Sequence, residues 1–234
     1  MKSLHLIWII PVAVSIALFL FLLIAYGFRP INPADYPERL DYGTLTTAEQ
    51  DAFNGILSAV ADGQAVVRCD EPINHYKVLT HLGMYYGTLD GVGRLFVMVN
   101  GNIHLNLNAF PAFEQNRTEV NAMVAEALPH IREGSNRYKL WQIARYIATH
   151  YDYGQDFRCG EYAILFYKIA SRLGIESYLC FGYGGKDLHV WNYAGGRYYD
   201  VTWYDSTGER KYIGSKNAWG RSYATNDMWE VIKP

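Results

Sequence analysis

The chain has 234 residues, of which 50% are hydrophobic and 19% are charged, and its formal net charge is −2. That length and apolar content suffice for one globular domain with a substantial core or for two smaller lobes. The near-neutral charge excludes the global positive field that attracts nucleic acid, so we do not expect a nucleic-acid partner.

The most apolar stretch lies at the N-terminus. Residues 6–28 contain no charged side chain, and Ser15 is their only clearly polar member. A helix of this length would extend roughly 34 Å, which is enough to cross the hydrocarbon core of a bilayer. The alternative is a cleaved signal peptide, because Ala25 and Gly27 would suit the small-residue positions of a cleavage site. We expect an uncleaved anchor, since the run is longer than the apolar core of a signal peptide.

The charges beside this segment predict its orientation. The α-amino group and Lys2 precede it, whereas Arg29 and then three acidic residues follow it. Positive charge collects on the cytoplasmic side of single-pass membrane proteins. We therefore expect one N-terminal transmembrane helix, with the rest of the chain outside the cytoplasm.

Four segments carry the apolar periodicity of amphipathic helices. The first begins with a capping box in which Thr46 or Thr47 pairs with Glu49. The last begins at Cys159 and stops before Gly174, a residue suited to a helix C-terminus. In chain order, the predicted helices cover residues 47–61, 119–132, 137–151 and 159–173.

Strand patterns fall into two groups. The first is a predicted β-hairpin over residues 94–107, in which Asn100-Gly101 suits the positive φ angles of a type I′ turn. The second follows the last helix and comprises three runs, over residues 176–182, 188–193 and 198–203. A helix followed by antiparallel strands predicts an α+β fold. We expect three parts: an anchor at 1–29, an N-terminal α+β subdomain or extension at 30–118, and the main domain at 119–234.

Cys159 is a candidate nucleophile because of its place in the chain. At the start of a helix, its sulfur would feel the partial positive charge of unpaired N–H groups, which favours the thiolate. The same N–H groups, including that of Cys159 itself, are suited to stabilise an oxyanion. Just upstream, Tyr153 or Gln155 is a candidate for an additional side-chain oxyanion donor.

His189 and Asp200 flank a predicted hairpin whose turn lies in residues 194–196. A two-residue turn would place both side chains on one face, whereas a three-residue turn without a bulge would place them on opposite faces. A thiolate needs an imidazole to share its proton, and the imidazole needs a carboxylate to fix its tautomer. Asp205 is the alternative carboxylate, for which we expect a structural role.

The segments around these residues read CGEYA at 159–163, HVWN at 189–192 and YYDVTW at 198–203. In this order they resemble the Cys, His and Asp motifs of the transglutaminase-like superfamily. The resemblance covers about residues 137–205. It implies a papain-like α+β core in which the Cys helix packs on an antiparallel sheet.

The resemblance also implies residue roles and a reaction. Cys159 would be the nucleophile, His189 the general base and acid, and Asp200 the group that orients the imidazole. Such enzymes form a thioester from a Gln carboxamide or a peptide carbonyl, and an amine or water then resolves it. Transamidation, deamidation and proteolysis all stay open, and the anchor places the protein or peptide substrate in or near the cell envelope. We expect no metal or other cofactor, because no acidic cluster resembles the calcium sites of animal transglutaminases.

Two alternatives come from different classes of protein. Cys69 and Cys180 would form a redox pair if their sulfurs met in disulfide geometry, although we expect both to be unpaired. The other alternative is a non-catalytic cell-envelope binding or scaffold module that retains the fold. Neither Cys-x-x-Cys nor His-Glu-x-x-His occurs, so a zinc site or a dithiol redox centre has no sequence support.

Overall fold

The computed structural model describes residues 45–154, 157–184 and 187–216. Over these residues the fold is α+β, with six α-helices and two antiparallel sheets. The membrane segment predicted at 6–28 lies outside the described residues. Among the helices that are described, none has both the length and the apolar character needed to cross a bilayer.

Six helices and seven strands are numbered here in chain order over the described residues. The helices are α1 Thr47–Ala61, α2 His75–Tyr86, α3 Phe110–Ala127, α4 Asn136–His150, α5 Cys159–Arg172 and α6 Val201–Thr207. The strands are β1 Val66–Val67, β2 Phe96–Val99, β3 Asn102–Leu105, β4 Ser177–Gly184, β5 Asp187–Ala194, β6 Arg197–Tyr199 and β7 Ile213–Ser215.

The N-terminal unit consists of α1 and α2 packed with a three-stranded sheet in the order β1-β3-β2. Its first helix has the predicted capping box, since Thr46 N–H donates to Glu49 Oε2 at 2.9 Å and Thr46 Oγ1 accepts from Glu49 N–H. The predicted hairpin is confirmed as well. Asn100 and Gly101 have φ angles of 50° and 79°, the positive values of a type I′ turn.

The C-terminal unit places α5 between other helices and a four-stranded sheet in the order β4-β5-β6-β7. Ten of the fourteen residues of α5 are buried, because α4 covers one side while β4 and β5 cover another. Phe166 of α5 stacks obliquely on Tyr199 of β6, with ring centroids 5.1 Å apart. This packing fixes the start of α5 relative to the sheet.

Three sequence-based assignments needed correction. Helix α2 was missed, although Asn74 caps it by accepting from the N–H groups of Tyr76 and Lys77. Helix α3 begins at Phe110 rather than 119, since a proline at the start of a helix is favourable and its missing N–H is not needed there. It therefore runs across the expected boundary at 118.

The third correction concerns the segment that follows β6. Residues 198–203 were predicted as a strand, but the strand ends at Tyr199 and α6 begins at Val201. The cause is Asp200, whose Oδ1 accepts a hydrogen bond from Trp203 N–H at 3.0 Å and so caps the helix. The carboxylate thus stands at the junction between sheet and helix.

Candidate active site

Cys159 occupies the first position of α5, as the sequence predicted. The residue before it, Arg158, has an extended backbone, and its N–H donates to Glu161 Oε2 at 3.0 Å. The first N–H groups of a helix have no partners within the helix, so the half-buried sulfur lies at the positive end of the helix dipole.

The hairpin of β5 and β6 brings His189 and Asp200 together. Its pairing ends with Ala194 opposite Arg197, so the turn holds two residues, which is the length that places both side chains on one face. The imidazole Nε2 lies 2.7 Å from Asp200 Oδ2, and the carboxylate is fully buried. Because a carboxylate oxygen is an acceptor, this bond requires a proton on Nε2, which the ring donates to Asp200.

Cys159 completes the group through its sulfur. Burial raises the pKa of its thiol, but interactions with the side chain of His189 and the backbone of Val190 lower it. Because Nε2 is engaged by Asp200, Nδ1 is the ring nitrogen that faces the sulfur. The helix, β5 and the start of α6 therefore contribute one functional group each.

The charges of this group favour a thiolate beside an imidazolium. Burial alone would raise the pKa of Cys159, but the hydrogen bond and charge of His189 outweigh it and lower that pKa. Burial opposes the charged imidazole too, yet its hydrogen bonds to Asp200 and Cys159 raise the pKa of His189 to about 9. Each of the two groups thus stabilises the charged form of the other.

We expect iodoacetamide to alkylate Cys159 at neutral pH at least about tenfold faster than Cys69, whose pKa burial raises. His189→Asn removes the cation while burial of the thiol persists, so the onset of alkylation should shift to higher pH. Mass spectrometry of both cysteines across a pH series measures this. Equal rates at the two cysteines would contradict the ion pair.

Aromatic rings hold the imidazole from two directions. Trp191 stacks against His189 with centroids 5.7 Å apart, and Trp203 meets it edge-on at 6.4 Å. The strand opposite His189 carries Gly182, where an added Cβ would lie 2.6 Å from the Trp191 ring. A glycine is needed there because the indole occupies the space that a side chain would fill.

A buried asparagine joins β5 to the Cys helix, a role that was not predicted from the sequence. Asn192 is fully buried, and its Nδ2 donates to the backbone oxygen of Ala163 at 2.9 Å. Ala163 lies one turn beyond Cys159, while Asn192 follows His189 by three residues on the same strand. This bond therefore fixes the separation of nucleophile and base. The signal in the sequence was an amide within an otherwise apolar strand.

Asp205 has a different set of partners. Its Oδ2 accepts from Tyr162 Oη at 2.8 Å and from Tyr153 N–H at 3.3 Å, so it joins α6 to α5 and to the preceding loop. Burial, and then the charge of Cys159, raises the pKa of Tyr153, whereas Gln155 is outside the described residues.

The N-terminal unit contacts the Cys helix through both polar and apolar groups. Thr88 Oγ1 donates to Glu161 Oε1 at 3.4 Å, and the Leu89 side chain lies over Gly160, 3.6 Å from where a Cβ would stand. Further along α5, buried Lys168 donates to Tyr85 O at 2.9 Å, a carbonyl in the last turn of α2.

The other two cysteines lie apart from the group. Cys69 packs at the edge of the N-terminal core, Cys180 is buried against Trp191, and neither forms a disulfide. The two belong to different apolar clusters of the described residues, so the structure gives no support to a redox pair. In the described part of the chain, no three His, Cys, Asp or Glu side chains are grouped to hold a metal ion.

The chain was compared with protein-family models and with curated proteins. No family model matches the chain, and no curated protein matches it significantly. The resemblance to the transglutaminase-like superfamily therefore stays a prediction based on the three motifs.

Proposed function

We propose that the chain is an anchored, extracytoplasmic cysteine enzyme of transglutaminase-like type with a papain-like core. The observation that carries the proposal is the 2.7 Å hydrogen bond between His189 and the buried Asp200, beside a Cys159 whose pKa His189 lowers against the effect of burial. A buried carboxylate, a cationic imidazole and a lowered thiol pKa at a helix start are what nucleophilic catalysis by a thiol requires. The substrate is a Gln side chain or a peptide bond of a protein or peptide near the membrane.

The first half-reaction forms a thioester. The thiolate of Cys159 attacks the carbonyl carbon, so that a C–S bond forms and the carbonyl electrons move to oxygen. The Cys159 N–H at the start of α5 is positioned to donate to that oxyanion, and Tyr153 is a candidate for a second donor. The C–N bond then breaks as the imidazolium of His189 gives its proton to the leaving ammonia or amine.

The second half-reaction restores the enzyme. Neutral His189 takes a proton from the incoming amine or water, whose nitrogen or oxygen attacks the thioester carbon. The C–S bond breaks, and Cys159 leaves as a thiolate beside the re-formed imidazolium. Asp200 stabilises the cation in both halves, and the identity of the second nucleophile decides between acyl transfer and hydrolysis.

Incubation of the full chain in detergent with a Gln-containing protein and a labelled amine tests the proposal. Ammonia release with incorporated label would identify transamidation, ammonia without label would identify deamidation, and new N-termini would identify proteolysis. We expect one of these products to accumulate in proportion to enzyme concentration. The absence of all three across a varied set of protein substrates would refute the enzyme and favour a binding module.

A further inference from the structure

A cavity of about 270 Å³ lies between the start of α4 and the edge strand β7. Its wall is mainly apolar, and the rings of Tyr138 and Trp141 that line it stack with their centroids 6.2 Å apart. An apolar cavity of roughly 150 Å³ is enough to bind benzene. This cavity therefore has room for one aromatic ring with a short substituent.

Tyr199 brings a buried hydroxyl to the wall of this cavity. Only 1% of the residue is exposed, and its Oη forms no hydrogen bond with any other residue that the structure describes. Gly214 of β7 also lines the cavity, and a Cβ added there would stand 3.9 Å from Tyr199 Oη. A buried hydroxyl without a partner costs free energy, which a ligand that accepts its hydrogen bond would recover.

A guanidinium group without a carboxylate partner borders the same cavity. Arg137 lines the cavity, and it forms no salt bridge with a carboxylate of residues 45–154, 157–184 or 187–216. Glu133, the acidic residue nearest to it in the sequence, pairs instead with Lys139 Nζ at 2.6 Å. The charge of Arg137 is therefore available to an anionic ligand.

A second guanidinium group, from β6, acts on the same hydroxyl. Arg197 Nη1 donates to Gly214 O at 2.7 Å and so lies beside the glycine that lines the cavity. Burial raises the pKa of Tyr199, whereas the charges of Arg197 and Arg137 act to lower it. Two positive charges thus act on one buried hydroxyl, an arrangement that favours a negatively charged acceptor beside it.

We propose that this cavity is a binding site for a small carboxylate with an aromatic or similarly apolar body. The ring of the ligand packs against Tyr138 and Trp141, and its carboxylate accepts hydrogen bonds from Tyr199 Oη and Arg137. The three candidate catalytic residues do not line the cavity. The site is therefore separate from the proposed catalysis and does not depend on it.

Two probes of the same shape test the charge requirement: hydrocinnamate, which is a carboxylate, and hydrocinnamyl alcohol, which is neutral. Each is titrated calorimetrically into the full chain in nonionic detergent, and the heats measured with empty micelles are subtracted. We expect hydrocinnamate to bind saturably and at least about tenfold more tightly than the alcohol. Propionate, which lacks the ring, should bind at least about tenfold more weakly than hydrocinnamate.

Three variants locate the binding within the fold. Arg137→Gln should bring the affinities for the acid and the alcohol within about twofold of each other, and Tyr199→Phe should weaken hydrocinnamate about fivefold. The matched control is Arg145→Gln, on the same helix. The guanidinium of Arg145 lies 4.7 Å from the centroid of the Trp141 ring but does not line the cavity, so this variant should keep the full preference for the acid.

Several results would overturn the site. They are the absence of saturable hydrocinnamate binding, equal affinities for acid and alcohol in the unmodified chain, and unchanged hydrocinnamate affinity in both Arg137→Gln and Tyr199→Phe. An equal loss in Arg145→Gln would assign the effect to the general charge of the α4 surface and would overturn the site as well. Thermal unfolding of each variant shows that the comparison is made between folded proteins.

Discussion

Cys159→Ala should lower the rate of product formation by at least about 10⁴-fold, to the level seen without enzyme. The substitution removes the sulfur that interacts with His189, while the alanine fits a half-buried position at a helix start. The other groups of the site have no atom that can form the thioester. Amine incorporation or ammonia release, whichever the full chain supports, measures the loss.

Cys69→Ala provides the matched control for this experiment. Cys69 is also half-buried, but burial raises its pKa and it packs at the edge of the N-terminal core. Its removal should leave the rate within about twofold. Thermal unfolding of both variants shows whether the fold is intact, and persistence of product in a folded Cys159→Ala protein would refute the nucleophile assignment.

The elements that could be predicted are those with local causes. The position of Cys159 follows from apolar periodicity and a glycine stop, and the meeting of His189 with Asp200 follows from the two-residue turn at Gly195-Gly196. Both depend on residues close in sequence, because a turn of known length fixes which side chains share a face.

What could not be predicted depends on contacts between distant segments. The carbonyl of Ala163 that receives Asn192, and the leucine that lies over Gly160, belong to segments that meet only after folding. Nor does local pattern explain why the strand stops at Tyr199. A run of aromatic and β-branched residues favours a strand, but the cap that Asp200 provides overrides that preference.

These contacts give the N-terminal unit a role in the site. Glu161 bonds to the N–H of Arg158 and accepts from Thr88, so one carboxylate joins the start of the Cys helix to the first unit. Lys168 makes a second link through the end of α2. The negative charge of Glu161 acts to raise the pKa of Cys159, so it does not favour the thiolate. We therefore assign Glu161 a role in positioning the Cys helix rather than in activating the thiol.

Asp200→Asn should reduce the maximal rate by about 10³- to 10⁴-fold without unfolding the protein. An asparagine can still accept from Trp203 N–H, so the cap of α6 is preserved, but the buried negative charge beside His189 is gone. That charge helps to raise the pKa of His189 to about 9. Its loss should lower the pKa, so the alkaline limb of the pH–rate profile should move to lower pH.

Asp205→Asn separates this role from a structural one, because it makes the same chemical change at a neighbouring carboxylate. Its amide oxygen can accept from Tyr162 and Tyr153, so the loop and helix should stay joined. No large change in rate or in the alkaline limb is expected, since the carboxylate bonded to the imidazole is that of Asp200. The rates of the two variants across pH distinguish the two carboxylates. A large loss of rate in Asp205→Asn, together with a near-normal rate in Asp200→Asn, would assign the orienting role to Asp205.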